Sequence, residues 1–348
     1  MSALATASAG ARPAATLAQR VFGALADGAV HSGEQLAARH AVTRSAIWKT
    51  VGNLRQLGLP VESVPSRGYR LAVPLVPLDG ARIRELLEPQ VRARLRSAEV
   101  AWSLSSTNSV LLGRGERPGR DAPPAGHFDF LVAEYQSAGR GRRARHWLAP
   151  PGGALCLSLG WSFAALPTGA AALSLAVGVC VRRALAEFAP LPVQLKWPND
   201  LQAQGRKLGG ILIELRAETT GPAYVVIGVG INCALGPALA GRVRETGTEP
   251  IDLAALGVAA CDRNRLAARL IGEIARGVLE FEQRGFVAFA REWSAADALA
   301  GHRVSVSAPG GEFIGRAGGV AADGALRVER DGELRLFHTG EVSVRAQA

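Results

Sequence analysis

A few short segments carry residue types that neither a helix nor a strand requires. Gly139-Arg140-Gly141-Arg142-Arg143-Ala144-Arg145 mixes glycines with guanidiniums. Glycines let backbone amides approach a ligand closely, and guanidiniums offer bidentate donors to phosphate or carboxylate. The spacing lacks the third glycine of the dinucleotide fingerprint, and no GxxxxGK[ST] occurs in the chain. By itself the segment also reads as a basic surface patch for nucleic acid. Lys196-Trp197-Pro198-Asn199-Asp200 ends one apolar strand with a cation, an aromatic and two polar side chains. Arg206-Lys207-Leu208-Gly209-Gly210, basic and flexible, enters a second strand, and Gly228-Val229-Gly230-Ile231-Asn232 ends a third. Each alone is a turn or a cap; together, at strand ends, they are what a sheet-borne site looks like. Ser105-Ser106-Thr107-Asn108 has no His/Asp partner in context and reads as a helix cap and hydrogen-bonding ligand clamp. No GxSxG elbow exists, and the six histidines form no metal pattern, so no structural metal is expected.

Composition sharpens this. Of 40 basic residues only three are lysine, Lys49, Lys196 and Lys207. Where arginine serves almost every generic positive charge, a surviving lysine marks a site that needs a compact ammonium on a flexible stem, or simply chance. The net charge of +10 favours polyanionic partners without choosing among them. Cys156, Cys180, Cys233 and Cys261 lie far apart with no CxxC, which excludes a disulfide scaffold and a zinc module and points to a reducing, cytoplasmic compartment. The Ala/Ser/Gly-rich residues 1–15 lack an apolar h-region and read as a flexible tail. Residues 146–182 are broken by Pro150, Pro151 and Pro167 and split into a strand and a core helix, so no membrane partner is expected.

The elements that must position these residues fall into three domains. In residues 16–75, Leu17, Val21 and Leu25 give one helix, Ser32-Gly33-Glu34-Gln35 is a capping box opening a second, and Thr43 caps a third with Ile47, Val51 and Leu54 on one face. Two short strands then flank Pro65-Ser66-Arg67-Gly68. This is the order of a winged helix-turn-helix, with the helix-turn-helix at about 32–52. Arg44, Ser45, Trp48 and Lys49 would face the major groove, and Arg67 in the wing would hold the backbone. Residues 1–78 carry a net charge of +5, half of the total. The same charges also suit a small helical domain used for protein contacts.

Residues 76–297 are expected to be α+β with one mixed sheet. A helix is expected over 82–88, then a polar stretch and a short helix from about Thr107. Strands are expected over 130–134, 154–163, 193–196, 211–215 and 224–231, and helices over 169–188 and 263–284. Residues 298–348 carry Asp323-Gly324 and Asp331-Gly332 turns between short alternating runs, which predicts about five strands closed into a small barrel.

In sequence order, Ser106-Thr107-Asn108, Ala133-Glu134-Tyr135-Gln136 running into Gly139–Arg143, Lys196–Asp200, Arg206-Lys207-Leu208, Gly228-x-Gly230-Ile231-Asn232 and Gly340-Glu341-x-Ser343-x-Arg345 resemble the biotin–protein ligase family. With its N-terminal domain the chain is similar to the bifunctional bacterial form, which is also the biotin operon repressor. The resemblance spans residues 16–346. Ala144 stands where the loop often has glycine, Gly209 where alanine is common, and Ala41 where the helix-turn-helix turn usually has glycine; the last bears on DNA-binding geometry.

The resemblance implies a class II synthetase-like catalytic fold and a C-terminal SH3-like barrel. It implies formation of biotinyl-5′-AMP from biotin and ATP with Mg2+, then transfer of biotin to a lysine of the biotin carboxyl carrier protein of acetyl-CoA carboxylase. Biotin would be held by Ser106, Thr107, Asn108, Gln136, Arg140, Gly141, Arg142, Lys207, Gly209 and Gly210. Arg142, Arg143, Lys207, Asn199, Asp200, Gly228 and Asn232 would serve the adenylate. Operator DNA, and a homodimer when the adenylate is bound, are the implied partners. The competing readings are a ligase with a non-repressing N-terminal domain, a DNA-binding regulator sensing a ligand through an inactive enzyme domain, and a lipoate-type ligase.

Overall fold

Hydroxyl side chains open all three N-terminal helices. In the computed structural model, Thr16 caps α1 (Leu17–Leu25), Ser32 caps α2 (Gly33–His40) and Thr43 caps α3 (Arg44–Gln56). The structure describes residues 15–115, 122–189, 192–217, 222–258, 261–308, 311–338 and 343–346. The expected tail therefore lies, but for Ala15, outside the described residues, as do Gly340, Glu341 and Val342. Each cap satisfies an amide that the helix leaves unpaired, at about 1 kcal/mol. At Ser32 the box is complete, with Gln35 Oε1 accepting from the Ser32 amide at 3.2 Å. The chain divides into two compact units, Met1–Pro74 and Leu75–Ala348.

In the first unit Ile47, Val51 and Leu54 are buried with Val21, Leu25 and Leu36. Strands β1 (Val61–Val64) and β2 (Gly68–Leu71) pair antiparallel to form the wing. Ala41, between α2 and α3, adopts the left-handed conformation usually left to glycine (φ 55°, ψ 47°). The turn geometry is thus kept with an alanine, at a steric cost of roughly 1–2 kcal/mol.

The second unit opens with α4 (Gly80–Glu85) and α5 (Pro89–Arg92). The helix expected over 82–88 begins earlier because Asp79 accepts from the amides of Ala81 and Arg82, and it ends before Pro89. The stretch that reads as polar before Thr107 is instead β3 (Leu95–Leu104), an edge strand parallel to its neighbour. Arg96 pairs with buried Asp129 and Arg114 pairs with Glu99, so its charges are neutralised against the sheet. Then come α6 (Thr107–Arg114), β4 (Phe128–Gln136), β5 (Ala154–Phe163), α7 (Leu173–Leu185), β6 (Gln194–Lys196), β7 (Asp200–Ala203), β8 (Arg206–Ala217), β9 (Ala223–Asn232), α8 (Pro237–Arg244), α9 (Arg263–Arg284) and α10 (Ala290–Ala296). The seven strands run in the order β3-β4-β5-β9-β8-β7-β6, mixed as expected. Leu155, Leu157, Leu159, Trp161 and Phe163 of β5 and Val225, Ile227, Val229 and Ile231 of β9 share a core with α7 and α9. No described helix is long and apolar enough to cross a membrane.

At the C-terminus β10 (Arg303–Ala308), β11 (Gly311–Val320), β12 (Leu326–Arg330), β13 (Glu333–Phe337) and β14 (Ser343–Ala346) form an antiparallel sheet, order β13-β12-β11-β10-β14. The five expected strands are present, but among the described residues no ladder joins β13 to β14 to close a barrel. This sheet shares the larger unit's core through Val304, Val306 and Phe313. The indole of Trp197 donates to the Gly324 carbonyl at 3.0 Å, so the aromatic of the Lys196–Asp200 segment anchors a C-terminal turn.

Candidate active site

The alternation that sends leucines of β5 into the core sends Cys156 and Ser158 to the opposite face. In register beside them on β9 lie Gly230 and Gly228, and beside those on β8 lie Gly210 and Leu212. The glycines of this floor let other groups approach the sheet. A Cβ on Gly228 would sit 2.1 Å from Asn108 Oδ1, and one on Gly230 would sit 2.7 Å from the Trp147 ring. Above the floor is a cavity of about 340 Å³, within the roughly 300–1,000 Å³ usual for small-molecule sites.

The first turn of α6 makes one wall. Ser106 caps the helix, and both the amide and the hydroxyl of Thr107 donate to Gln136 Oε1, at 2.7 and 3.1 Å. Ser158, fully buried, places its hydroxyl 2.7 Å from Thr107 Oγ1 and 2.6 Å from Asn108 Oδ1. Asn108 Nδ2 donates to the Leu212 carbonyl and to Glu214. This is a neutral array of donors and acceptors over an apolar floor.

A second wall is cationic. Residues 140–146 form a tight hairpin, with Gly141 N–H donating to the Arg145 carbonyl at 2.7 Å and Trp147 N–H to that of Gly139 at 2.8 Å. Arg140, Arg142 and Arg145 line the cavity. Arg142 donates to Asn199 Oδ1 at 3.4 Å. Burial pulls its guanidinium pKa below the ordinary value, with Asp200 opposing, so it keeps its charge in a partly dehydrated place. Lys207 places its ammonium 2.6 Å from Asp200 Oδ1. The backbone there is held rather than flexible: Lys207 N–H donates to Glu249, and its carbonyl accepts from Ile251 N–H and from Asn232 Nδ2.

Of the sequence-predicted residues, the cavity brings together Ser106, Thr107, Asn108, Gln136, Arg140, Gly141, Arg142, Asn199, Lys207, Gly210, Gly228 and Asn232. Three are placed otherwise. Arg143 is exposed, with φ 56° at the outer bend of the hairpin. Gly209 faces away, since its Cβ would meet Gly230 O at 2.6 Å and Ile231 at 2.8 Å. Asp200 acts on the site through Lys207. Asn232 lines the cavity, but its Nδ2 braces Lys207 and Ile251. Sequence reasoning missed Trp147, Cys156 and the wall formed by Val243, Thr246, Thr248 and Pro250, and Ser158, which braces Thr107 and Asn108 from beneath. Trp147 follows the arginine segment directly, which was a usable signal; nothing local marks 243–250. Burial pushes the Cys156 thiol up to about 12, which makes it an inert part of the floor.

No group of three or more His, Cys, Asp or Glu that could hold a metal ion occurs among the described residues. In the first unit Arg44, Ser45, Trp48 and Lys49 form the exposed N-terminal face of α3, with Trp48 70% exposed, and Arg67 is exposed at the wing tip.

A mixed sheet carrying a cavity with a neutral polar wall and a cationic one, in a chain with a helix-turn-helix unit, defines a substrate-activating enzyme joined to a DNA-binding module. The chain matches the Biotin/lipoate A/B protein ligase family over residues 128–232, an HTH domain over 25–70 and the Biotin protein ligase C terminal domain over 300–345. It is 38% identical over 325 residues to the bifunctional ligase/repressor BirA of Salmonella typhimurium, covering 92% of this chain and 95% of that one. It is 35% identical to the biotin–[acetyl-CoA-carboxylase] ligase of Mycobacterium tuberculosis, covering 76% and 95%. The solved biotin protein ligase from Aquifex aeolicus in complex with biotin and ATP is similar at 25% identity and TM-score 0.57, covering 73% and 99%. The chain belongs to the biotin protein ligase family.

Proposed function

We propose that this protein is an ATP-dependent ligase that forms biotinyl-5′-AMP from biotin and ATP. It then passes biotin to a lysine of the biotin carboxyl carrier protein of acetyl-CoA carboxylase, and it doubles as a biotin-responsive repressor acting from the cytoplasm. The observation that carries the reading is the cavity's polarity: a neutral clamp of Thr107, Gln136 and Asn108, backed by Ser158, shares the cavity with the cations Arg140, Arg142 and Lys207. The neutral wall suits a ureido ring and the small floor suits an apolar chain.

Carboxylate and triphosphate repel each other, so their reaction needs concentrated positive charge already in place. In the first step the biotin carboxylate attacks the α-phosphorus and pyrophosphate leaves. Arg142 and Lys207 would stabilise the charge that develops there. In the second step the carrier amine attacks the acyl carbon, an amide forms and AMP departs. Magnesium would travel on the phosphates, as that ion commonly does, with Asp200, the ion-pair partner of Lys207, a carboxylate beside them.

The test is incubation with ATP, carrier domain and either labelled biotin or labelled lipoate. Biotin label on the carrier is the expected result. Lipoate label would move the chain to the lipoate branch, and no label with intact operator binding would leave a regulator alone. Ligation without operator binding would mark a ligase with a non-repressing N-terminal domain.

A further inference from the structure

Glu214 belongs to none of the sequence motifs and does not line the cavity. It lies on β8 two residues beyond Leu212, and its side chain is 17% exposed. Both carboxylate oxygens are committed. Oε2 accepts from Asn108 Nδ2 at 3.0 Å, and Oε1 pairs with Arg140 Nη2 at 2.8 Å. Arg140 also donates from Nη1 to Ser109 Oγ at 3.3 Å. One carboxylate therefore links the neutral wall, through the first turn of α6, to the first arginine of the cationic wall. The arginine hairpin also closes on itself through Gly141–Arg145 and Gly139–Trp147 backbone bonds, and Arg142 ties its middle to Asn199. Arg140 is the side-chain tie of its first turn to β8 and to α6.

We propose that Glu214 is a positioning residue for the ligase reaction: it holds Arg140 against α6 and so sets the first turn of the arginine hairpin at the cavity before substrates arrive. This rests on the ligase reading above. Glu214 acts on Arg140, a residue of the biotin-binding set, while Arg142 keeps its own tie to Asn199. Its loss therefore falls on substrate binding, raising KM and leaving kcat in place. Preorganisation of the hairpin is then an affinity device.

Glu214→Gln keeps an oxygen for Asn108 and removes the charge that holds Arg140. The expected result is a KM for biotin in adenylate formation raised about tenfold with kcat within about twofold, the split that marks lost uniform binding. Arg140→Gln and the double variant complete a cycle, in which the double variant should match Arg140→Gln alone. Trypsin cleavage after Arg142, Arg143 and Arg145 in ligand-free protein should be several-fold faster in both single variants than in the parent. Additive effects in the cycle, a fall in kcat at unchanged KM, or parental cleavage rates would overturn the assignment. If Glu214→Gln does not fold, Arg140→Gln breaks the same pair from its exposed side, and the cleavage rate decides. Failure of the parent protein to make biotinyl-5′-AMP would instead sink the ligase reading, with the cleavage comparison still deciding the tether.

Discussion

Lys207 and Arg142 bring charge to the same cavity in different ways. Lys207 is a point charge on a backbone bonded on both sides, 2.6 Å from Asp200. Arg142 is a planar donor kept partly dry, where electrostatic interactions gain strength. Replacing either with alanine should lower the rate of pyrophosphate release by about 10²–10³, the usual loss for one well-placed electrostatic contact. The thermal midpoint should change little, and near-normal pyrophosphate release would remove the assigned roles. These residues are legible in the sequence because they break local expectation: arginines among glycines, and a lysine in a chain that prefers arginine. Ser158 and Glu214 are illegible for the opposite reason. Each is a polar residue in an alternating strand, where it looks solvent-facing, and the Asn108 side chain each one meets lies 50 and 106 residues away. Gly209 and Gly210 carry equal weight as a pair in the sequence, and only the pleat separates the one on the cavity from the one turned into the sheet.

Among the elements, those with a long, regular period are readable. The strand expected over 154–163 and the helix over 263–284 coincide with β5 and α9. β3 is not readable, because Arg96 and Glu99 find partners only in the folded sheet. β7 is hidden too, since its four residues Asp200–Ala203 are too few for a pattern. Two elements yield predictions. Ala41 sits in the left-handed region, so Ala41→Gly should relieve a strain of roughly 1–2 kcal/mol. Part of the gain is returned to the greater freedom of glycine when unfolded. A net rise of about 0.5–1 kcal/mol in unfolding free energy, read from urea melts, is expected, and a loss would contradict the strain. The arginine hairpin gathers like charges that an anionic adenylate would relieve. Tryptic nicking between Arg140 and Arg145 should therefore fall when biotin and ATP are added together, and equal cleavage with and without them would refute that coupling.

Across the whole molecule, a small winged helix-turn-helix with Arg44, Lys49 and Arg67 exposed makes few phosphate contacts, and each adds salt-sensitive affinity with little specificity. Two such modules on a two-fold axis read a palindromic site far better than one. We therefore predict that biotin plus ATP drives homodimerisation and operator binding together, and that unmodified carrier protein, by consuming the adenylate, reverses both. Sedimentation and operator binding measured side by side test this, and tight binding by a ligand-free monomer would overturn it. Arg44→Ala should weaken operator binding while leaving ligation intact; unchanged affinity would remove α3 as the reading helix.

The scarcity of lysine also bears on what the protein does to itself. A mixed anhydride of carboxylate and phosphate is an acylating agent that seeks unprotonated amines, and a guanidinium is almost never deprotonated. Of three lysine side chains, Lys207 is ion-paired beside the cavity, Lys196 is half-buried in β6, and Lys49 stands out on α3. A chain in which 37 of 40 basic residues are arginine offers few amines to such a reagent. The activated acyl group is thus carried by a protein with few places to lose it, and a foreign lysine is its most available destination.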